Sequence, residues 1–253
     1  MPDRNLNLKN IKKINKYQST SDNSTFFIVI CRFLSYYVTL LFLKLNISSN
    51  ATSYFNFLLG VVMMIFFIQS TFLSYSFAIL ILLIMEILDC VDGNISRLKK
   101  TSSFYGRFID SLFGIVTISF HMFGLSIFSK FALNNEILFY VGIVSTCVSP
   151  FGHFIFDKYS ALARWQNLSS KNKIKPYIWK DKFKSVIFFI KDSQYFLIIL
   201  SPFFLNTNYI DIILYYYFIS NTLLNIYMVF FHTKSSYKQM NVFASDHNKK
   251  KSR

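Results

Sequence analysis

The residues best suited to chemistry stand close together in an otherwise apolar stretch. Asp89 and Asp92 lie three apart at the end of an apolar run, with Gly93 immediately after them and Ser96 and Arg97 just beyond. After eight intervening residues come Gly106 and Arg107, and Asp110 follows four residues after the glycine. Side chains three or four residues apart share a helix face, so Asp89 and Asp92 project together. Asp110 can meet them from a second helix, which Gly106 lets approach closely. Three carboxylates at a membrane edge are costly unless a cation neutralises them, and hard oxygen donors suit Mg²⁺ or Mn²⁺. The pattern therefore predicts a divalent-metal site at Asp89, Asp92 and Asp110. Each residue also has an ordinary reading. Intramembrane acids pair helices or line ion paths, Asp-Gly marks turns, and Arg97, Lys99 and Lys100 could be plain flanking charge. The joint spacing carries the prediction.

That spacing resembles the motif of the CDP-alcohol phosphatidyltransferase family, D-x-x-D-G-x-x-A-R, then eight residues, then G-x-x-x-D-x-x-x-D. Asp89, Asp92, Gly93, Arg97, Gly106 and Asp110 match it, Ser96 replaces the small Ala, and Gly114 stands where the family has its fourth Asp. Ser49-Asn50-Ala51-Thr52 loosely resembles the start of the family's first spanning helix. The resemblance implies transfer of a phosphoalcohol group from a CDP-alcohol, such as CDP-diacylglycerol, to an acceptor hydroxyl. CMP is released, in phospholipid or related phosphodiester synthesis. It further implies that Asp89, Asp92 and Asp110 hold Mg²⁺ or Mn²⁺, and that Gly93, Ser96 and Gly106 leave room for nucleotide and diphosphate. Arg97 would pair with phosphate, a task its planar fork suits, and Arg107 would attract an anionic acceptor unless it only touches headgroups. A homodimer is also implied.

Gly114 divides the functional expectation. In the family the fourth Asp takes the acceptor proton, so this chain either uses a substitute or is a catalytically impaired member serving as a nucleotide- and metal-binding membrane scaffold. Asp110 and Glu86 are the candidate catalytic carboxylates. Glu86 lies one turn behind Asp89 on much the same face, where it could equally be a buried acid sharing a proton. His121 is eleven residues past Asp110, roughly 16 Å too deep at the rise of a helix, and His153 falls near the cytosolic end of a later span. A cation channel or transporter is a third class. It needs charges facing one another across the midplane, whereas these acids sit near one edge.

Several elements must position these residues, and composition sets their kind. A chain of 253 residues that is 53% hydrophobic, with 31 Phe and 16 Tyr, reads as an integral membrane protein. Its net charge of +15 flanks apolar spans, which points to anionic membrane lipids as partners and away from nucleic acid. Cys31, Cys90 and Cys147 lie in or beside apolar runs without metal-ligand spacing and read as buried small hydrophobes. No apolar signal-peptide core occurs in the first twenty-five residues.

The expected fold is all-α, with six transmembrane helices preceded by an interfacial amphipathic helix. Residues 1–49 form a basic arm and that helix, Phe26 to Leu45, in which Arg32 and Lys44 snorkel toward headgroups. Residues 50–232 form the six-helix membrane domain, and residues 233–253 a basic cytosolic tail expected to be mobile. Spans are expected at 53–67, 72–88, 106–127, 137–156, 186–205 and 210–231, with 94–105 a polar turn and Pro150 a kink in the fourth. Lys and Arg concentrate in the N-terminal arm, the 94–105 turn, the 157–184 loop and the tail, while the alternate links hold only Lys130. The positive-inside rule then puts both termini and the acid cluster on the cytosolic side of the cell inner membrane.

Overall fold

The structure, a computed structural model, describes residues 26–101, 103–169 and 181–251. Seven helices follow one another: α1 Phe26–Lys44, α2 Ser49–Ile68, α3 Phe72–Lys99, α4 Phe104–Phe131, α5 Glu136–Ser169, α6 Asp181–Leu200 and α7 Tyr209–Lys251. A short 3₁₀ turn, Ser201–Phe204, links the last two, and no strand occurs among the described residues. Local sequence starts the helices. Ser48 caps α2 by accepting from the Ala51 N–H, Thr71 and Ser74 form a reciprocal capping box on α3, and Ser103 accepts from Gly106 to begin α4. The N-terminal arm and residues 170–180 of the expected basic loop fall outside the described residues, whereas the flanks of that loop belong to α5 and α6 and α7 continues through the expected tail to Lys251.

The all-helical membrane fold is as expected, and among the described residues seven helices, one more than the six expected spans, are long and apolar enough to cross a membrane. The additional one is α1. Length and apolarity do not distinguish a spanning helix from one lying along headgroups, because both bury a continuous apolar surface. On α1 the buried residues form a narrow stripe at every fourth position, Phe27, Cys31, Ser35, Thr39 and Leu43. Phe33, Tyr37 and Leu41 face outward. The stripe meets α3 at its C-terminal end, where Leu43 packs with Val91 and Ile95, and Val38, Phe42, Ile87 and Leu98 pack against that cluster.

The expected turn at 94–105 is corrected. α3 runs unbroken through Asp89, Gly93 and Arg97 to Lys99. Buried Val91, Asn94 and Ile95 keep its packed face going, and Lys100 ends it in a left-handed conformation (φ 54°, ψ 36°). The polar connection shrinks to residues 100–103, and the whole motif around Asp89 is helical. Pro150 lies inside continuous α5. The cysteines are free, but only Cys31 is buried, and Cys147 is exposed.

α2 packs against both α3 and α4, α4 against α5, and α5 against α7, while α6 leans on α7. The core occupies one end of this bundle. Phe67 near the end of α2, Tyr75 near the start of α3, Phe128 late in α4 and Leu138 early in α5 pack together with Ile198, Leu214 and Phe218. The motif residues lie at the opposite end of α3 and α4. Large apolar side chains thus close one end, and polar and small residues leave the other open.

Small residues bring α4, α5 and α7 together, as is usual between helices in lipid. A Cβ at Gly142 of α5 would collide with Ser126 Oγ of α4 and stand 2.9 Å from Phe218 Cζ of α7. Gly142→Ala is therefore expected to destabilise the bundle by about 1–3 kcal/mol, the range for overpacking. The thermal unfolding midpoint in detergent measures this. An unchanged midpoint would show that these helices separate at no cost.

Candidate active site

The open end holds a cavity of about 610 Å³ among α1, α2, α3 and α4. Every residue assigned a metal, catalytic or substrate role from the sequence borders it: Glu86, Asp89, Asp92, Gly93, Ser96 and Arg97 from α3, and Gly106, Arg107 and Asp110 from α4. Beside it lies a cleft of about 30 Å³ lined by Ser53, Asn56, Asp89, Asp92, Asp110, Gly114 and Thr117, among others. That is room for an ion or a water. The three aspartates are common to both spaces, whereas Glu86 borders only the larger and Gly114 only the smaller.

α2 orients Asp92. Ser49 Oγ donates to Asp92 Oδ1 at 2.7 Å, and Ser53 Oγ donates to Oδ2 in a close contact. Ser49 and Ser53 are four apart and so share a helix face. Arg97 folds back over Gly93, where a Cβ would stand 2.9 and 3.0 Å from its Nη atoms. Its Nη2 donates to Asn94 Oδ1 at 3.0 Å, but its Nε–H is buried without an acceptor. Asn94 in turn donates through Nδ2 to Ser35 and Thr39 of α1, each at 3.1 Å. At Gly106 a Cβ would come within 3.0 Å of Asn50 Oδ1, so the glycine allows α2 and α4 to approach. Gly114 has no atom within 4 Å of where a Cβ would sit.

The aspartates share walls without closing on one point. Among the described residues no group of three or more His, Cys, Asp or Glu side chains is arranged to hold a metal ion by itself. The donors nonetheless fit a hard divalent cation in kind. They are all oxygen, and Asn56 Oδ1, on the same cleft, is a buried acceptor without a donor. His121 borders neither space. Its ring is buried, stacked at 5.9 Å on Phe67 and 3.4 Å from the Tyr217 hydroxyl. His153 borders neither as well.

Sequence reasoning alone misses Ser53, Asn56, Asn94 and a cavity role for Arg32. The spacing of Ser49 and Ser53 at the start of a helix is a usable signal for the first. Nothing local marks the others, since their significance lies in which helices meet.

The fold and site are those of a helical bundle with membrane-spanning lengths, closed at one end by its core and open at the other on acids and arginines. The sequence model described as CDP-alcohol phosphatidyltransferase matches residues 46–218, and the chain belongs to that family. Among solved structures, phosphatidylinositol phosphate synthase PgsA1 of Mycobacterium tuberculosis, crystallised with CDP-DAG bound, is similar at 10% identity and a TM-score of 0.50. The likeness covers 83% of this chain and 90% of that one, and it is a likeness of fold. No curated protein matches the chain in sequence.

Proposed function

We propose that the chain transfers a phosphoalcohol group from a CDP-alcohol to an acceptor hydroxyl and releases CMP. The observation that carries this reading is the single cavity bordered by all nine motif-region residues. The acceptor oxygen attacks the phosphorus bearing the alcohol, the bond from that phosphorus to the CMP oxygen breaks, and the acceptor proton passes to a cavity carboxylate. Glu86 and Asp110 are the candidates. Asp89, Asp92 and Asp110 would hold Mg²⁺ or Mn²⁺, which supplies charge neutralisation at the phosphate oxygens. Arg97 binds the diphosphate, because its buried Nε–H gains an acceptor when a phosphate oxygen enters. Ser49 and Ser53 hold Asp92 in place. CMP release from labelled CDP-diacylglycerol, in membranes offered glycerol phosphate, inositol phosphate or serine, tests the reading. Mass spectrometry of the lipid product names the acceptor. No release from any CDP-alcohol would remove it.

The cavity faces the cytosol in this reading, and α1 lies along the same headgroup layer. Support comes from the Lys and Arg asymmetry and from the contacts of α1 with the last turns of α3. In a cysteine-free background, a cysteine at exposed Lys100 is expected to label only from the cytosolic face, and one at exposed Asn134 only from the other. The reverse pattern would put the acids on the wrong side for a cytosolic nucleotide.

A further inference from the structure

α1 lies outside the stretch matched by the family model, residues 46–218, yet it walls the large cavity with Ile28, Cys31 and Arg32. It is anchored on either side of Arg32. At the first turn the Phe26 and Phe27 N–H groups donate to the two carboxylate oxygens of Asp192 on α6, each at 2.9 Å. Two N–H groups with no partner inside the helix, at the positive end of its dipole, are well matched by a carboxylate. The Phe27 ring also stacks on Tyr195 at 4.6 Å with an interplanar angle of 8°. Further along, Ser35 and Thr39 accept from Asn94.

These anchors fix the rotation of α1 about its axis. Phe33, Leu34 and Tyr37 face outward, and half-buried Arg32 borders the cavity. Its guanidinium makes no hydrogen bond among the described residues. Arg97, which borders the same cavity, keeps its unpaired buried Nε–H. Glu86, Asp89, Asp92 and Asp110 border the same cavity and offset part of this charge, but among the described residues neither fork hydrogen-bonds a carboxylate, and a phosphate oxyanion matches the geometry of both.

We infer that Arg32 binds a phosphate oxyanion in the large cavity together with Arg97, and that Asp192 is the positioning residue that turns Arg32 toward it. The inference rests on the phosphotransferase reading for the nature of its ligand. The oxyanion belongs either to the donor's diphosphate or to a phosphorylated acceptor.

Titration calorimetry on the full chain in nanodiscs, with Mg²⁺ present, tests this using CDP-diacylglycerol and glycerol 3-phosphate as separate probes. Arg32→Gln is expected to raise Kd for one of them about 10- to 100-fold, the effect of one charge-assisted hydrogen bond. Loss with CDP-diacylglycerol assigns the donor diphosphate, and loss with glycerol 3-phosphate assigns the acceptor. Asp192→Asn should raise the same Kd by less, Asp192→Glu should restore it in part, and the Arg32→Gln/Asp192→Asn pair should bind no worse than Arg32→Gln alone. Unchanged Kd values in Arg32→Gln, with wild type binding, overturn the inference and leave the family reaction standing. Additive losses in the double variant overturn the role of Asp192. Wild type binding neither probe overturns the functional reading, and this inference with it.

Discussion

Asn in place of Asp89, Asp92 or Asp110 is expected to abolish CMP release while leaving the fold intact. The exchange keeps the side chain's shape and removes its charge, at three positions that border both the cavity and the cleft. Losing one fixed charge aimed at a reacting centre typically costs about 10²–10³-fold in rate, and each of these acids also serves the proposed cation. The packed core lies at the other end of the bundle, so the unfolding midpoint should move little. At Asp92 the serine hydroxyls of Ser49 and Ser53 can still pair with an amide, since a hydroxyl both donates and accepts. CMP release with saturating Mg²⁺ or Mn²⁺, beside the midpoint, is the measurement. Wild-type rates in any of the three variants would remove that residue from the site.

Gly114→Asp is expected to raise CMP release. A Cβ at Gly114 meets nothing within 4 Å, and the position opens on the cleft shared by Asp89, Asp92 and Asp110. The added carboxylate therefore has space, and the cleft supplies the cation site that would neutralise it. A positioned base is worth about 10²–10⁴-fold, which bounds the gain. The new charge makes four carboxylates around one cleft, so chelation should destabilise Gly114→Asp more than wild type, and Mn²⁺ should restore its midpoint. Glu86→Gln separates the substitutes. Glu86 borders the large cavity but not the cleft at Gly114, so it can serve as base only from the other side of the aspartates. A lower rate in Glu86→Gln supports that role, and an unchanged rate rules it out. If wild type is active and Gly114→Asp is not, the cleft is adapted to glycine. If both are silent with every CDP-alcohol tried, the chain is a binding scaffold.

Much of this protein is legible in its amino-acid sequence. Apolar runs of spanning length require helices in lipid, because every backbone N–H and C=O must pair within its own segment. The three- and four-residue spacings then set which side chains share a face. Those spacings, together with the resemblance to the family motif, gather Glu86, Asp89, Asp92, Arg97, Gly106 and Asp110 as one candidate site, and the fold brings them to one cavity. The end of α3 is harder to read. Gly93 and the charges after it suggest a turn, but burial of Val91, Asn94 and Ile95 keeps the helix going to Lys99. Periodicity states which face of a helix is buried and is silent about the partner. Only tertiary structure could therefore pair Asp92 with Ser49 and Ser53 of α2, or bring Asp192 to the start of α1 across some 165 residues of chain. The same limit explains Arg32. An arginine in an apolar helix has the same local sequence whether it reaches for headgroups or for a cavity, and the anchoring of α1 against α3 and α6 decides which.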